Sequence, residues 1–191
     1  NNKVILFTRD SKVSDSINNH RFNPKLKYVV FNDNVSSETN LNLLNEMNFI
    51  FIALPSQNVR EVLKKVTLQN KDQELIIASK GIEINSGLLL SEVIKEITEI
   101  NKISVLSGPC FSDEVAQNLP TAVTFASNKK ESFEKVNNLI KNKNFRMYYT
   151  NDLIGCQIGG ALKNIYAIAA GITMGLNLGE NAKSAIITRS F

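Results

Sequence analysis

Phe49-Ile50-Phe51-Ile52-Ala53-Leu54-Pro55-Ser56-Gln57-Asn58-Val59-Arg60 carries a strand, its end and the start of a helix in one short run. Residues 49–54 are continuously apolar and rich in β-formers, as a strand covered on both faces must be. Proline then removes a ladder donor and stops the strand. Ser56 has the side chain to cap a helix, and the pattern over 58–67 predicts one. A strand that turns into a helix at its carboxyl end is the repeating joint of an α/β fold, and in open sheets ligands bind beside such turns.

The same joint recurs in both directions along the chain. Short β-rich runs stand at 4–7, 28–31, 74–78, 103–106 and 122–125, and helical patterns at 12–19, 40–47, 87–100 and 130–140. This alternation predicts an α/β fold, a Rossmann-type doubly wound and mostly parallel sheet. Beyond Asn151 only helix is predicted, with Thr150, Asn151 or Asp152 as its cap, so an all-α region is expected to begin there. The division falls near 149, giving a dinucleotide-binding domain over 1–149 and the start of a helical domain over 150–191.

The composition excludes several classes of function. The 191 residues carry a net charge of +4, 43% are hydrophobic and the mean hydropathy is −0.10, the profile of a soluble globular protein. Basic residues are scattered, the tightest groupings being Lys64-Lys65 and Lys129-Lys130, which argues for solvated faces and no nucleic-acid partner. A modest positive balance suits small anions such as phosphates. Cys110 and Cys156 have no companion histidines, so no metal site is expected, and reduced thiols in a cytoplasm are the simplest reading. Apolar runs are shorter than the roughly 18 residues of a membrane span, so none is expected.

Glycine placement bears on the ligand. The first glycine is Gly81, so residues 1–80 hold no G-x-G-x-x-G loop. The opening Lys3-Val4-Ile5-Leu6-Phe7-Thr8-Arg9-Asp10 instead reads as the second strand of a dinucleotide fold, and the chain is expected to start after the phosphate loop. At the end of that strand an arginine suits an adenosine 2′-phosphate and an acid suits a free 2′-hydroxyl. Arg9 thus points to NADP, and Asp10 leaves NAD open.

Three further segments carry candidate chemistry. In Ala78-Ser79-Lys80-Gly81-Ile82-Glu83 a lysine follows a strand, where it can reach an anionic or polarised group. Alone, this is an ordinary turn lysine. Leu106-Ser107-Gly108-Pro109-Cys110-Phe111-Ser112 is a tight small-residue turn. A nucleophilic Cys110 would need a histidine, and the chain has one, His20. In the helical run from Gly155 to Gly171, glycines cost about 1 kcal/mol each against alanine, so a close neighbour should offset them. Helical spacing puts Gly160, Lys163, Asn164 and Ala167 on one face. Ile158, Leu162, Ile165 and Ile168 are expected to bury the rest, leaving Lys163 either in a slot or snorkelling to water.

Taken together and in order, ALPSQNVREVL, ASKGIE, LSGPCFSDEVAQNLPTAV, FRMYYTNDLIG, GGALKNIYAIAAGI and GENAKSAIITRSF resemble the NAD(P)-dependent glycerol-3-phosphate dehydrogenases of bacterial type. The resemblance implies a cytoplasmic homodimer acting on a small phosphorylated substrate. It would interconvert dihydroxyacetone phosphate and sn-glycerol 3-phosphate with NADP or NAD, supplying phospholipid synthesis. On the matching positions, Lys163 is the implied proton acceptor, with Asn164, Lys80, Gly108 and Cys110 as substrate contacts. Arg9, Ser56, Lys80 and Ser112 are the implied cofactor contacts. Cys110 stands where that family usually has serine or threonine, and Ser112 where it has alanine. A related two-domain hydroxy-acid dehydrogenase and a non-catalytic binding module are the alternatives. The family's glycine-rich loop and later helices have no counterpart in the chain, which is therefore expected to be a fragment.

Overall fold

A computed structural model describes residues 2–26 and 29–190. Strand β1 (Val4–Phe7) leads through helix α1 (Ser11–His20) to β2 (Val35–Glu38), and these two strands pair in parallel. A second sheet holds β3 (Phe49–Ile52), β4 (Glu74–Ile77), β5 (Ile103–Ser107), β6 (Thr121–Ser127) and β7 (Phe145–Thr150), in that order. Helix α2 (Val59–Lys64) crosses from β3 to β4, and α3 (Leu90–Ile97) from β4 to β5. The short α4 (Ser112–Ala116) reverses the chain so that β6 runs antiparallel to β5, and α5 (Lys130–Ile140) restores a parallel step to β7. Helices α6 (Leu153–Gly175) and α7 (Gly179–Arg189) close the chain.

Strand periodicity explains how the core divides. Alternate residues of β4 point to opposite faces. Leu75 and Ile77 join Ile50, Ile52, Val59, Leu63, Leu90, Ile94, Val105 and Leu153 on one face, under α2, α3 and the start of α6. Ile76 joins Val123, Phe125, Val136 and Met147 on the other, under α5. Helices on both faces make the sheet doubly wound, as expected.

Several expectations need correction. Residues 29–31 form no strand, and Tyr28 lies outside the described residues. The parallel partner of β1 is the polar Val-Ser-Ser-Glu of β2. There Ser37 is buried with every polar group paired, its Oγ donating to the Leu6 carbonyl (2.8 Å) and its N–H to Asn18 Oδ1 (2.8 Å). The 40–47 pattern folds as a 3₁₀ helix over Leu41–Glu46. Ser56 opens a 3₁₀ turn and makes no cap: its Oγ accepts from Gln57 Nε2 (3.2 Å). Asp152 is the cap of α6, its Oδ1 accepting from the Gly155 N–H (2.8 Å).

The apolar face of α6 is the largest surprise. Ile158, Ile165 and Ile168 do not bury it; the last two are 58% and 64% exposed, as Ile154 and Ile172 also largely are. Among the described residues α6 is the one helix long and apolar enough to cross a membrane by length and composition, contrary to the expectation of shorter runs. It carries Gln157, Lys163 and Asn164 along its length, and its first turns pack on β5 and β6, so a membrane span is not indicated.

Candidate functional site

The carboxyl ends of β3, β4 and β5 converge with one face of α6. Lys80 follows β4, and its side chain is half-buried. Its ammonium donates to the Gly108 carbonyl (3.0 Å) in the turn after β5 and lies 4.0 Å from Cys110 Sγ. This is more than an ordinary turn lysine, because two loops that are 28 residues apart meet through it. The Cys110 thiol is exposed and points back at the same Gly108 carbonyl (3.7 Å).

Helix α6 reaches this point through a glycine. A Cβ on Gly160 would stand 2.9 Å from Ser107 Oγ and 3.5 Å from Lys80 Cγ, so glycine lets the helix lie close to the end of β5 without displacing the Ser107 hydroxyl. Ser79, Lys80, Ser107, Cys156, Gln157 and Gly160 enclose a cavity of about 10 Å³, room for one water at most. Of the helical glycines predicted to need a neighbour, Gly155 has the Asp152 carboxylate and Gly160 has Ser107, whereas Gly159 and Gly171 face open space.

One turn beyond Gly160, on the same face, stands Lys163. Its amine donates to Asn164 Oδ1 (3.0 Å), and both side chains are exposed. The structure therefore brings Lys80, Gly108, Cys110 and the Gly160 turn together, while Lys163 and Asn164 follow on the next turn of α6 as exposed side chains bonded to each other. Lys163 is not enclosed in a slot but exposed, and Ile165 and Ile168, expected to bury the rest of the helix, face outward.

The candidate cofactor residues Arg9, Ser56 and Ser112 lie on three different segments that follow strands, and Lys80 is shared with the cluster above. Ser56 lies against Gly81, whose φ of +139° is open to glycine alone at low cost; a Cβ there would meet Ser56 Oγ at 2.5 Å. Arg9 is exposed at the end of β1, while Phe7 packs onto the main core. Arg9 stands near α2: the Glu61 carboxyl is held below its ordinary range by Lys65 first and by Arg9 in smaller part. Asp10 is engaged elsewhere, its Oδ1 accepting from the Lys12 N–H (3.0 Å) as the cap of α1. Ser112 opens α4 with an exposed side chain and lies two residues beyond Cys110. One feature here suits a dinucleotide: an exposed guanidinium, Arg9, follows the end of β1. Among the described residues no group of three His, Cys, Asp or Glu side chains gathers for a metal.

Two features escaped the reading of the sequence. Arg60 forks onto Glu83 through Nε (2.9 and 3.0 Å) and Nη2 (2.8 Å), binding α2 to the loop after β4. Gln157, buried in an otherwise apolar turn, accepts from the Ser91 N–H (3.0 Å) and donates to Ser91 Oγ (2.9 Å), pinning α6 to α3. Its polarity within an apolar helix was the available signal.

Comparison with known proteins points to one family. Residues 1–133 match the family model described as NAD-dependent glycerol-3-phosphate dehydrogenase N-terminus, and residues 152–191 the corresponding C-terminus. Curated relatives named glycerol-3-phosphate dehydrogenase [NAD(P)+] include one from Zymomonas mobilis, 39% identical over 189 residues, and one from Halothermothrix orenii, 41% identical over 190. Each alignment covers 98% of this chain and 55% of the relative, so the chain spans about half their length. Among solved structures, a glycerol-3-phosphate dehydrogenase from Coxiella burnetii superposes with a TM-score of 0.85 at 34% identity, covering 98% of this chain and 58% of that one. One from Plasmodium falciparum gives 0.88 at 28% identity, covering 98% and 54%.

Proposed function

The chain belongs to the NAD-dependent glycerol-3-phosphate dehydrogenase family, and from that premise we propose that its protein interconverts dihydroxyacetone phosphate and sn-glycerol 3-phosphate. The observation that carries this reading is the junction of Lys80, Gly108 and the Gly160 turn of α6, with Lys163 and Asn164 on the adjoining turn. Lys80 and Lys163 supply two cations where a phosphorylated, carbonyl-bearing substrate would dock. The Gly108 carbonyl already orients the Lys80 ammonium.

Bound NAD(P)H supplies the hydride. As the substrate carbonyl becomes an alkoxide, the Lys163 ammonium donates a proton to that oxygen; in the reverse direction the neutral amine removes it from the C2 hydroxyl. Asn164 Oδ1 holds the amine in place (3.0 Å). Arg9, Ser56, Lys80 and Ser112 are the residues we assign to the cofactor, and Lys80, Gly108, Cys110, Lys163 and Asn164 those we assign to the substrate. With Asp10 occupied as a helix cap, the free Arg9 favours the 2′-phosphate of NADP. A cytoplasmic homodimer that feeds phospholipid synthesis, with its dinucleotide-binding domain ending near 149, completes the reading, and the family resemblance supports it.

The test is turnover by the full-length protein on dihydroxyacetone phosphate against a panel of 2-keto acids, followed through nicotinamide absorbance. Lys163→Met should lower kcat by about 10²–10⁴ with cofactor affinity kept. A preference for 2-keto acids, or near-normal kcat in the variant, would overturn the proposal.

A further inference from the structure

The two turns at the carboxyl ends of β3 and β4 are stitched into one unit. Gln57 uses both ends of its amide, donating to the Ile82 carbonyl (2.8 Å) and accepting from the Ile84 N–H (2.9 Å). Ser79 Oγ donates to the Leu54 carbonyl (2.5 Å), with the Ile52 carbonyl also within reach (3.1 Å). Beneath them, Glu83 is 6% exposed and receives the Arg60 fork, with Ser86 Oγ donating a further bond (2.5 Å). Arg60 also pairs with Glu96 of α3 (2.8 Å). The ordinary role of an ion pair this close to the surface is weak stabilisation. A bidentate fork does something more specific, since it fixes two groups in one orientation as well as at one distance.

That orientation matters because of what lies between the anchors. Lys80 and Gly81 occupy the short span from Ser79, tied to β3, to Glu83, tied to α2. Gly81 adopts a backbone conformation that most residues avoid. With both ends held, the Lys80 stem leaves the loop towards Gly108 and passes Gly160.

We propose that Arg60 and Glu83 are positioning residues, a clamp between α2 and the loop after β4 that aims the Lys80 ammonium at the turn after β5. This rests on the reading of Lys80 as a substrate contact. Neither residue touches substrate; both act through Lys80. The Glu83 carboxyl is held down to about 2, by Arg60 first and then Ser86, so the clamp stays charged throughout the neutral range.

A double-mutant cycle in the full-length enzyme tests it, with KM for dihydroxyacetone phosphate and kcat measured for Glu83→Gln, Lys80→Ala and the pair. Glu83→Gln should raise KM about tenfold and change kcat less than about threefold. In the Lys80→Ala background the same substitution should add less than about twofold, since there is no ammonium left to misplace. Additive effects, or an unchanged KM in folded Glu83→Gln, would overturn the clamp while leaving the substrate site intact. A silent Lys80→Ala would instead remove the substrate reading and the clamp with it. If Glu83→Gln does not fold, the cycle is run with Arg60→Lys, which keeps the charge and loses the fork. Failure of both to fold would make the pair structural only and refute its positioning role.

Discussion

Replacing Gly160 by alanine sets two known effects against each other. In a helix interior alanine is favoured over glycine by about 1 kcal/mol. The added methyl would stand 2.9 Å from Ser107 Oγ, where ordinary contact begins at 3.4 Å, so helix or hydroxyl must yield by about half an ångström. Overpacking of this kind costs about 1–3 kcal/mol. The single variant should therefore lie between neutral and about 2 kcal/mol less stable. Ser107→Ala removes the oxygen and leaves Lys80 Cγ at 3.5 Å and Ser107 Cβ at 4.0 Å, both ordinary contacts. The Ser107 hydroxyl makes no hydrogen bond among the described residues, so its loss should cost little. The double variant should recover the propensity gain and exceed the original by about 1 kcal/mol. Denaturant midpoints of the full-length protein read the coupling. Activity should follow, because any retreat of α6 carries Lys163 away from Lys80. A Gly160→Ala variant that is more stable by the full propensity gain, with no dependence on residue 107, would show that α6 is not seated on β5 in this way.

Other consequences are as direct. Gln157→Ala leaves the Ser91 N–H and hydroxyl without partners and should cost about 1–3 kcal/mol for each buried group left unpaired, read as a lowered Tm; an unchanged Tm would argue that α6 and α3 are not joined there. Iodoacetamide should label exposed Cys110 well before half-buried Cys156, whose thiol is pushed up by burial first and by Asp152 second; equal rates by peptide mass spectrometry would contradict this. Acid should weaken the loop after β4. Glu83 has a folded pKa depressed below its unfolded value, so its contribution is present above about 4.5 and fades as pH falls towards 2. Glu83→Gln should flatten the stability profile in that window, and a profile of unchanged slope would refute the assignment. Asp152→Ala should cost about 1 kcal/mol through loss of the α6 cap, measured by denaturant titration.

What could be read from the sequence follows what was local. The apolar run of β4 announced a doubly covered sheet because both faces of that strand are buried, whereas β3, at the sheet edge, buries Ile50 and Ile52 and leaves Phe51 exposed. The Lys130–Ile140 helix appears with its predicted ends. β2 was hidden because its burial relies on paired serine and asparagine groups in place of apolar side chains. β7 had a signal, Phe145, Met147 and Tyr149 alternating with Arg146 and Tyr148, but it followed a stretch crowded with Asn and Lys. α4 is too short for any periodicity. At the site, Lys80 and Gly108 were nameable singly, yet their contact depends on two crossovers bringing distant turns to one edge. Arg60 and Glu83 were visible as letters in two motifs and invisible as a pair. The isoleucines of α6 misled, since an apolar sequence reports what could be buried and leaves open what is.

The neighbouring pair at the tip of β1 has a practical corollary for anyone re-engineering coenzyme choice. Because Asp10 holds the first turn of α1 together, exchanging it would unravel a support before it altered any ribose contact. The guanidinium next to it bears no such duty. On the proposed assignment of Arg9 to the 2′-phosphate, selectivity should be edited there, and the helix left to keep its anchor.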